Sequence, residues 1–408
     1  MMRLKINLTD HPILSKSLWS LLVLFVFEVG RNIPLPYTDA ESAIKGSYSI
    51  KALTQATGGN LNQLYLFSLG IGPWMMAMII VSVLQQSKRL GLSKKPQRVM
   101  TQIQFGLVML IAALQATVSV FQINFTTDTD LIKFENGVVL VAGAFFVMWL
   151  SNMNAKYGIG GIMFLVLANI IQSMMGTILT VVQRASKIPA GLLMLIVGGL
   201  VALAFLSWLS VMMDHGEFRV PLRRLLIDNR YSEKSYLPIK LTPANGMPLM
   251  FVMSFASLPV YLFAFLNHFL PHNRIVLWGI VNFQLTKFWG VTFYVGMIFV
   301  LSMMFAFINI DPQKRAEEYQ HSGDYIPGYR PGRATEKYLR QLVWHFGLFG
   351  AVYLTIFAGL PMYLAVGNPT LMQVMMLPGL VLMTIGFGMM MLDQIKSLMV
   401  QGKYKTLL

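Results

Sequence analysis

The chain of 408 residues is 55% apolar and only 12% charged, whereas a soluble domain carries about 25% charged residues. Its 32 Lys and Arg against 17 Asp and Glu give a formal net charge of +15, and it has no cysteine. Disulfides, thiol catalysis and Cys-based metal sites are therefore excluded. The apolar residues come in runs of the roughly 20 residues that a helix needs to cross a bilayer, without the alternation of a barrel strand. The composition thus describes an all-α membrane protein. Its basic residues fall in loops between spans, where topology and anionic lipid explain them without invoking nucleic acid.

In chain order, spans are expected at about 17–34, 64–85, 101–121, 137–153, 162–181, 189–212, 245–266, 288–309, 341–360 and 372–398. That makes ten transmembrane helices. Arg3, Lys5 and Lys16 precede the first apolar run, and no small-residue cleavage site follows it, so this run is read as a retained span rather than a signal peptide. The connections 213–244 and 310–340 are long, polar and basic. The segment 36–63 is long and mildly polar, ends in Gly58–Gly59, and fits either a surface loop or a short re-entrant helix. With the N-terminus inside, the inner segments carry 24 Lys and Arg and the outer ones 8. The positive-inside rule then puts both termini in the cytoplasm of a multi-pass protein of the cell membrane.

Five spans in 1–186 and five in 187–408 give two halves of opposite orientation, the pattern of an inverted repeat. The second span of each half carries a Gly/Pro break near its start: Gly70, Gly72 and Pro73 in one, Gly246 and Pro248 in the other. Breaks at matching places point to a transport path, although Gly and Pro are common in membrane helices anyway.

Ionisable groups inside the spans are few. Glu28 and His345 lie near span ends, and Asp393 has Lys396 three residues on, a spacing that permits pairing. No His cluster suggests a metal, and no GxxxxGK[ST] loop suggests nucleotide hydrolysis. A membrane enzyme lacks its acid, base or ligand cluster. A solute transporter would want coordinating groups around the two breaks, and those regions are nearly all apolar. No cofactor is expected. The stretch 325–333 holds two Pro-Gly turns around Arg330. Such a stiff basic tip fits an acidic docking partner and a plain solvated turn equally well.

Four separated segments carry a resemblance. Gly30–Pro36, Gly58–Pro73, Ser235–Lys240 with Gly246-Met-Pro248, and Ile326–Gly332 with Thr335-Glu336 are similar to successive motifs of the SecY family, the pore subunits of protein translocases. The resemblance implies a clamshell of two five-helix halves around an hourglass pore that passes unfolded preprotein. It implies an apolar pore ring of Ile71, Met75, Ile162, Val166, Met250 and Ile385. It implies a plug in about 47–63, including Ser49, Ile50, Leu53, Thr54 and Thr57. It implies a lateral gate between the second and seventh spans, with Ser82 where many relatives carry a larger polar residue. It also implies a SecA-type motor docked on 213–244 and 310–340 through Arg330, Arg333, Arg223 and Arg224, with small SecE-like and other accessory Sec subunits alongside. Short loops, a tail of only Val400–Leu408, and Met and Val among the ring positions resemble the accessory SecY of Gram-positive bacteria more than the housekeeping form. The accessory paralogue works with its own SecA to export large glycosylated serine-rich adhesins.

Overall fold

The computed structural model describes residues 12–38, 65–86, 96–121, 125, 129–185, 190–224, 236–271 and 273–405. The expected plug residues Ser49, Ile50, Leu53, Thr54 and Thr57 lie outside them.

Thirteen α-helices are found among the described residues. They are α1 (Pro12–Arg31), α2 (Gly72–Gln86), α3 (Gln97–Phe121), α4 (Asp130–Tyr157), α5 (Ile162–Ala185), α6 (Ala190–His215), α7 (Met247–Phe269), α8 (Arg274–Asn282), α9 (Phe288–Ile310), α10 (Pro312–Ser322), α11 (Arg333–Leu354), α12 (Pro369–Met375) and α13 (Leu377–Lys405). Among the described residues, nine helical stretches are long and apolar enough to cross a membrane, and α2 is a shorter apolar helix. This accords with ten spans. The molecule is a multi-pass, all-α membrane protein.

Two spans differ from the simple expectation, for a stated reason each. The expected span 64–85 becomes helical only at Gly72, because Pro73 fits the first turn of a helix and not its interior. Residues 66–71 before it form turns. The expected span 341–360 starts earlier, at Arg333, and leaves α geometry after Leu354. It passes through a π turn (Thr355–Gly359) and a 3-10 segment (Leu360–Ala365), where Pro361 withholds an amide donor.

The turns before α2 sit inside protein without orphaning their amides. Leu66 N–H donates to the Ile33 carbonyl at 3.0 Å, Tyr65 N–H to Ser68 Oγ at 2.7 Å, and Gly70 N–H to the Phe67 carbonyl at 2.9 Å. The break before α7 is handled in the same way. Asn245, in left-handed geometry at φ 54°, donates its N–H to the Thr242 carbonyl at 3.0 Å, and Asn309 Nδ2 reaches the Pro243 carbonyl at 2.8 Å. Gly246 then caps α7.

Gly246 also permits a close crossing with α13. A Cβ built on Gly386 of α13 would lie 2.7 Å from Gly246 N and 2.8 Å from its Cα. Only glycine on both sides lets these backbones meet.

The two long polar connections are not bare loops. β1 (Glu217–Pro221) pairs antiparallel with β3 (Tyr236–Lys240) as a hairpin, with Val220 opposite Leu237. β2 (Arg223–Arg224) pairs with β4 (Asp324–Tyr325), so one connection is laced to the other. Within 310–340, Asp311 caps α10 by accepting from Lys314 N–H at 3.3 Å, with Pro312 in the first turn and Gly323 (φ 74°) at the end. Val220, Ile239, Tyr319, Ile326 and Leu339 give this hairpin end its own small core. Burial pushes the Tyr319 hydroxyl above its usual range, with Arg315 opposing and Asp324 and Glu318 reinforcing the rise.

The Gly386 contact yields a test with an internal control, since a Cβ on Gly388 would meet nothing within 4 Å. Gly386→Ala should lower thermal stability in detergent by about 1–3 kcal/mol, the usual cost of overpacking. Gly388→Ala should stay within about 0.5 kcal/mol of the parent. Equal melting temperatures for the two variants would remove the close crossing from the account.

Candidate functional site

The largest apolar cluster is central and draws residues from most of the spans. Ile71, just before α2, and Met75, in its first turn, are buried in it, as are Val166 of α5 and Met250 of α7, all at 0–2% exposure. Ile162, one turn before Val166, is half-buried and packs against the same cluster. The i, i+4 spacing puts each pair on one helix face. Five of the six ring residues named from the sequence therefore come together.

Ile385 does not join them. It is only half-buried, whereas Met383 and Phe387, at 0% exposure, are its near neighbours in the cluster. Gly386, between them, faces Gly246. A helix exposes successive residues about 100° apart, so the neighbours of a known contact residue point elsewhere, and the sequence spacing alone did not reveal the facing.

The four fully buried ring residues are apolar, and the cluster around them includes the phenols of Tyr294 and Tyr353. An ion that entered would lose hydration without gaining a partner, at a cost of many kcal/mol. Flexible side chains such as Met75 and Met250 nonetheless reshape around a guest more easily than branched ones.

Beside the cluster, α2, α3 and α7 share a second apolar patch formed by Met76, Ala77, Val108 and Ile111 with Phe255 and Leu258. Gln115 Nε2 lies 3.6 Å from Met76 Sδ across it. Ser82 Oγ donates to the Met78 carbonyl at 2.8 Å, within its own helix. Pro259 interrupts the hydrogen-bond ladder of α7, and Ser257 Oγ caps the Ser254 carbonyl nearby at 2.7 Å. This pattern bends helices.

Charged groups gather at the hairpin end. Lys240, the last residue of β3, bridges Asp214 at 3.2 Å and Asp393 at 3.6 Å. Asp214 ends α6 with its side chain 3% exposed. The sequence spacing suggested Lys396 as the partner of Asp393. The structure instead gives Asp393 to Lys240, because β3 runs up to that side of α13. At the opposite end of α1, Arg31 is buried against Glu28 (3.7 Å) and Gln172. His345 is exposed and Nδ1 sits 2.7 Å from its own helix's Gln341 carbonyl.

Arg330 is exposed on a braced tip. Its carbonyl accepts from Thr335 Oγ1 at 2.9 Å, Tyr329 stacks on Tyr338 at 4.2 Å, and the flanking Gly328 and Gly332 take φ of 89° and 99°. Arg333 is exposed in the first turn of α11, where the helix dipole gives a cation no support. Arg223 is exposed on β2, whose pairing with β4 sets Arg223 opposite Tyr325 and Arg224 opposite Asp324. The β2–β4 pairing thus ties the connection that carries Arg223 and Arg224 to the one that carries Arg330 and Arg333.

Comparison with known proteins bears on all of this. The SecY family model matches residues 65–391. The accessory Sec system protein translocase subunit SecY2 of Leuconostoc gelidum subsp. gasicomitatum is 34% identical over 97% of this chain and 97% of its own length. That of Streptococcus sanguinis is 35% identical over 97% and 98%. Among solved structures, a protein-conducting channel superposes with a TM-score of 0.70 at 18% identity, covering 96% of this chain and 93% of that one. Canine Sec61 from a ribosome–channel complex gives 0.67 at 17% over the same shares.

The Lys240 bridge is open to a direct measurement. Lys240→Met leaves the Asp214 carboxylate buried and unpaired, and should cost about 3 kcal/mol. Asp393 is more than half exposed, so Asp393→Asn should cost under about 1 kcal/mol. Adding Asp214→Asn to Lys240→Met should restore more than half of the lost thermal stability. No recovery in the double variant would show that the pair is not what holds β3.

Proposed function

The chain belongs to the SecY family of protein-translocation pore subunits, and from that premise we propose that it passes unfolded polypeptide through the centre of the bundle. Residues Ile71, Met75, Ile162, Val166 and Met250 form the constriction, with the sixth place on α13 near Ile385. Residues 1–186 and 187–408 are the two halves of the clamshell, with 47–63 as plug. The single observation that best supports the reading is the convergence of apolar side chains from α2, α5 and α7 on one buried cluster, beside the two helix breaks.

The hairpin end faces the cytoplasm of the cell membrane, as the 24-to-8 distribution of Lys and Arg requires of inner segments. A SecA-type ATPase docks there, on Arg330, Arg333, Arg223 and Arg224, and supplies the work. A SecE-like subunit, other accessory Sec subunits and anionic lipid cover outer faces of the bundle. Full-length similarity to SecY2 proteins favours the accessory system over general secretion, with large glycosylated serine-rich adhesins as substrates.

The absence of native cysteine makes the path easy to map. Single cysteines at positions 71, 75, 162 and 166 should crosslink to a translocating chain arrested in the channel, while cysteines at exposed Phe25 or Phe205 should not. Four silent ring positions with reactive controls would contradict the constriction.

Motor docking has a separate readout. Arg330→Glu should reduce export at least tenfold with membrane insertion and melting temperature unchanged. Wild-type export by this variant would take Arg330 out of the interface. Deleting the gene should abolish secretion of a serine-rich adhesin and spare general secretion. Loss of both would favour the housekeeping role.

A further inference from the structure

α4 and α5 are joined by the turn Gly158-Ile-Gly-Gly161, with Gly160 and Gly161 at φ 75° and 52°. On one side the turn is saturated by two buried side chains. Ser20 Oγ accepts from Ile159 N–H at 2.8 Å and donates to Asn154 Oδ1 at 2.8 Å. Asn154 Nδ2 donates to the Ile159 and Gly161 carbonyls at 3.2 and 2.8 Å. Ser20 and Asn154 are 2% and 0% exposed. The turn is therefore rigidly mounted on α1 and α4.

On its other side the turn reaches the far end of the sequence. Gly160 N–H donates to Gln394 Oε1 of α13 at 2.8 Å, across 234 residues. Met391, one turn earlier, lies against Gly160, with Cγ 3.1 Å from where a Cβ would stand. The residue next to Gln394 is Asp393, which Lys240 links to β3 and to buried Asp214. Two turns back along the same helix is Gly386, in contact with Gly246 at the head of α7.

We propose that the Gly160–Gln394 hydrogen bond is a clasp that holds the two halves together at the cytoplasmic end, and that load on the β1–β3 hairpin reaches it through Lys240 and Asp393. The proposal rests on the channel reading and on the division into halves. The turn is a stiff anchor and the hydrogen bond to it is weak, while deeper in the bundle α5 and α13 also meet at Met174 Sδ and Thr384 Oγ1, 3.6 Å apart. An exposed neutral hydrogen bond biases an equilibrium by only about fivefold, so a motor acting on the hairpin can release it. α13 is one continuous helix, so displacing its end moves the Gly386–Gly246 crossing and with it the start of α7. Gln394 is a positioning residue and does not touch the passing chain.

Two variants of Gln394 and one disulfide test this in the reconstituted full-length channel. Gln394→Ala should raise resting ion conductance in planar bilayers about fivefold. Gln394→Glu keeps an acceptor oxygen for the Gly160 amide and should stay within about twofold of the parent. Gly160→Cys with Met391→Cys places one sulfur about a disulfide's reach from the other Cβ. Once oxidised, this double variant should export at under a tenth of its rate after reduction. The Gln394 pair carries the test regardless of how well Cys is accepted at a positive-φ site. Equal leak from the Ala and Glu variants, or unimpaired export by the oxidised channel, would overturn the clasp. A parent protein that passes no polypeptide at all would instead sink the channel reading.

Discussion

In hydrocarbon an unpaired peptide group costs several kcal/mol, so a membrane protein can leave helical geometry only where protein itself supplies the missing partners. Among the described residues, the segments before α2 and before α7 leave it near the bundle centre. In each, the stray amides and carbonyls are met locally, by Ser68 and the Ile33 carbonyl in one case and by Asn309 and the Thr242 carbonyl in the other. Gly70, Pro73, Asn245, Gly246 and Pro248 are what make those turns possible. With the backbone satisfied, the side chains that follow each break are free to be wholly apolar. Ile71 lies within the first break, and Met75 and Met250 follow the two breaks directly.

Polarity is then distributed by depth. The central cluster is built of apolar side chains, while Asp214, Lys240 and Asp393 gather at the hairpin end. The division suits a passive valve worked from one side. The seal needs low dielectric and flexible packing, and the handle needs fixed charges in water. α13 connects them physically, carrying Met383 and Phe387 in the cluster, Gly386 at the crossing, and Asp393 and Gln394 at the polar end.

The spans were legible because their signals are local. Apolar run length, and Pro or Gly at helix ends, depend on neighbours in sequence. Even the helix α10 was readable in principle, from Asp311-Pro312 at its start and Gly323 at its end, although the stretch reads as loop when polarity alone is weighed. What the sequence could not disclose was pairing between distant pieces. β2 and β4 are two residues each and lie about 100 residues apart, too short for any pattern. The partner of Asp393 was invisible for the same reason: Lys396 is near in sequence, but Lys240 is near in space. At the site, four ring residues taken from motifs are buried, whereas Ile385 is half-buried between Met383 and Phe387, a difference of helix phase that spacing does not reveal.

The account depends most on the claim that the central apolar cluster is the seal. The direct measurement is ion conductance of the purified protein in planar bilayers, with Met75, Val166 and Met250 intact or all replaced by glycine. The parent should be electrically quiet without a translocating chain, and the substituted protein should conduct persistently. A parent that conducts at rest, or a correctly folded glycine variant that stays silent, would contradict it.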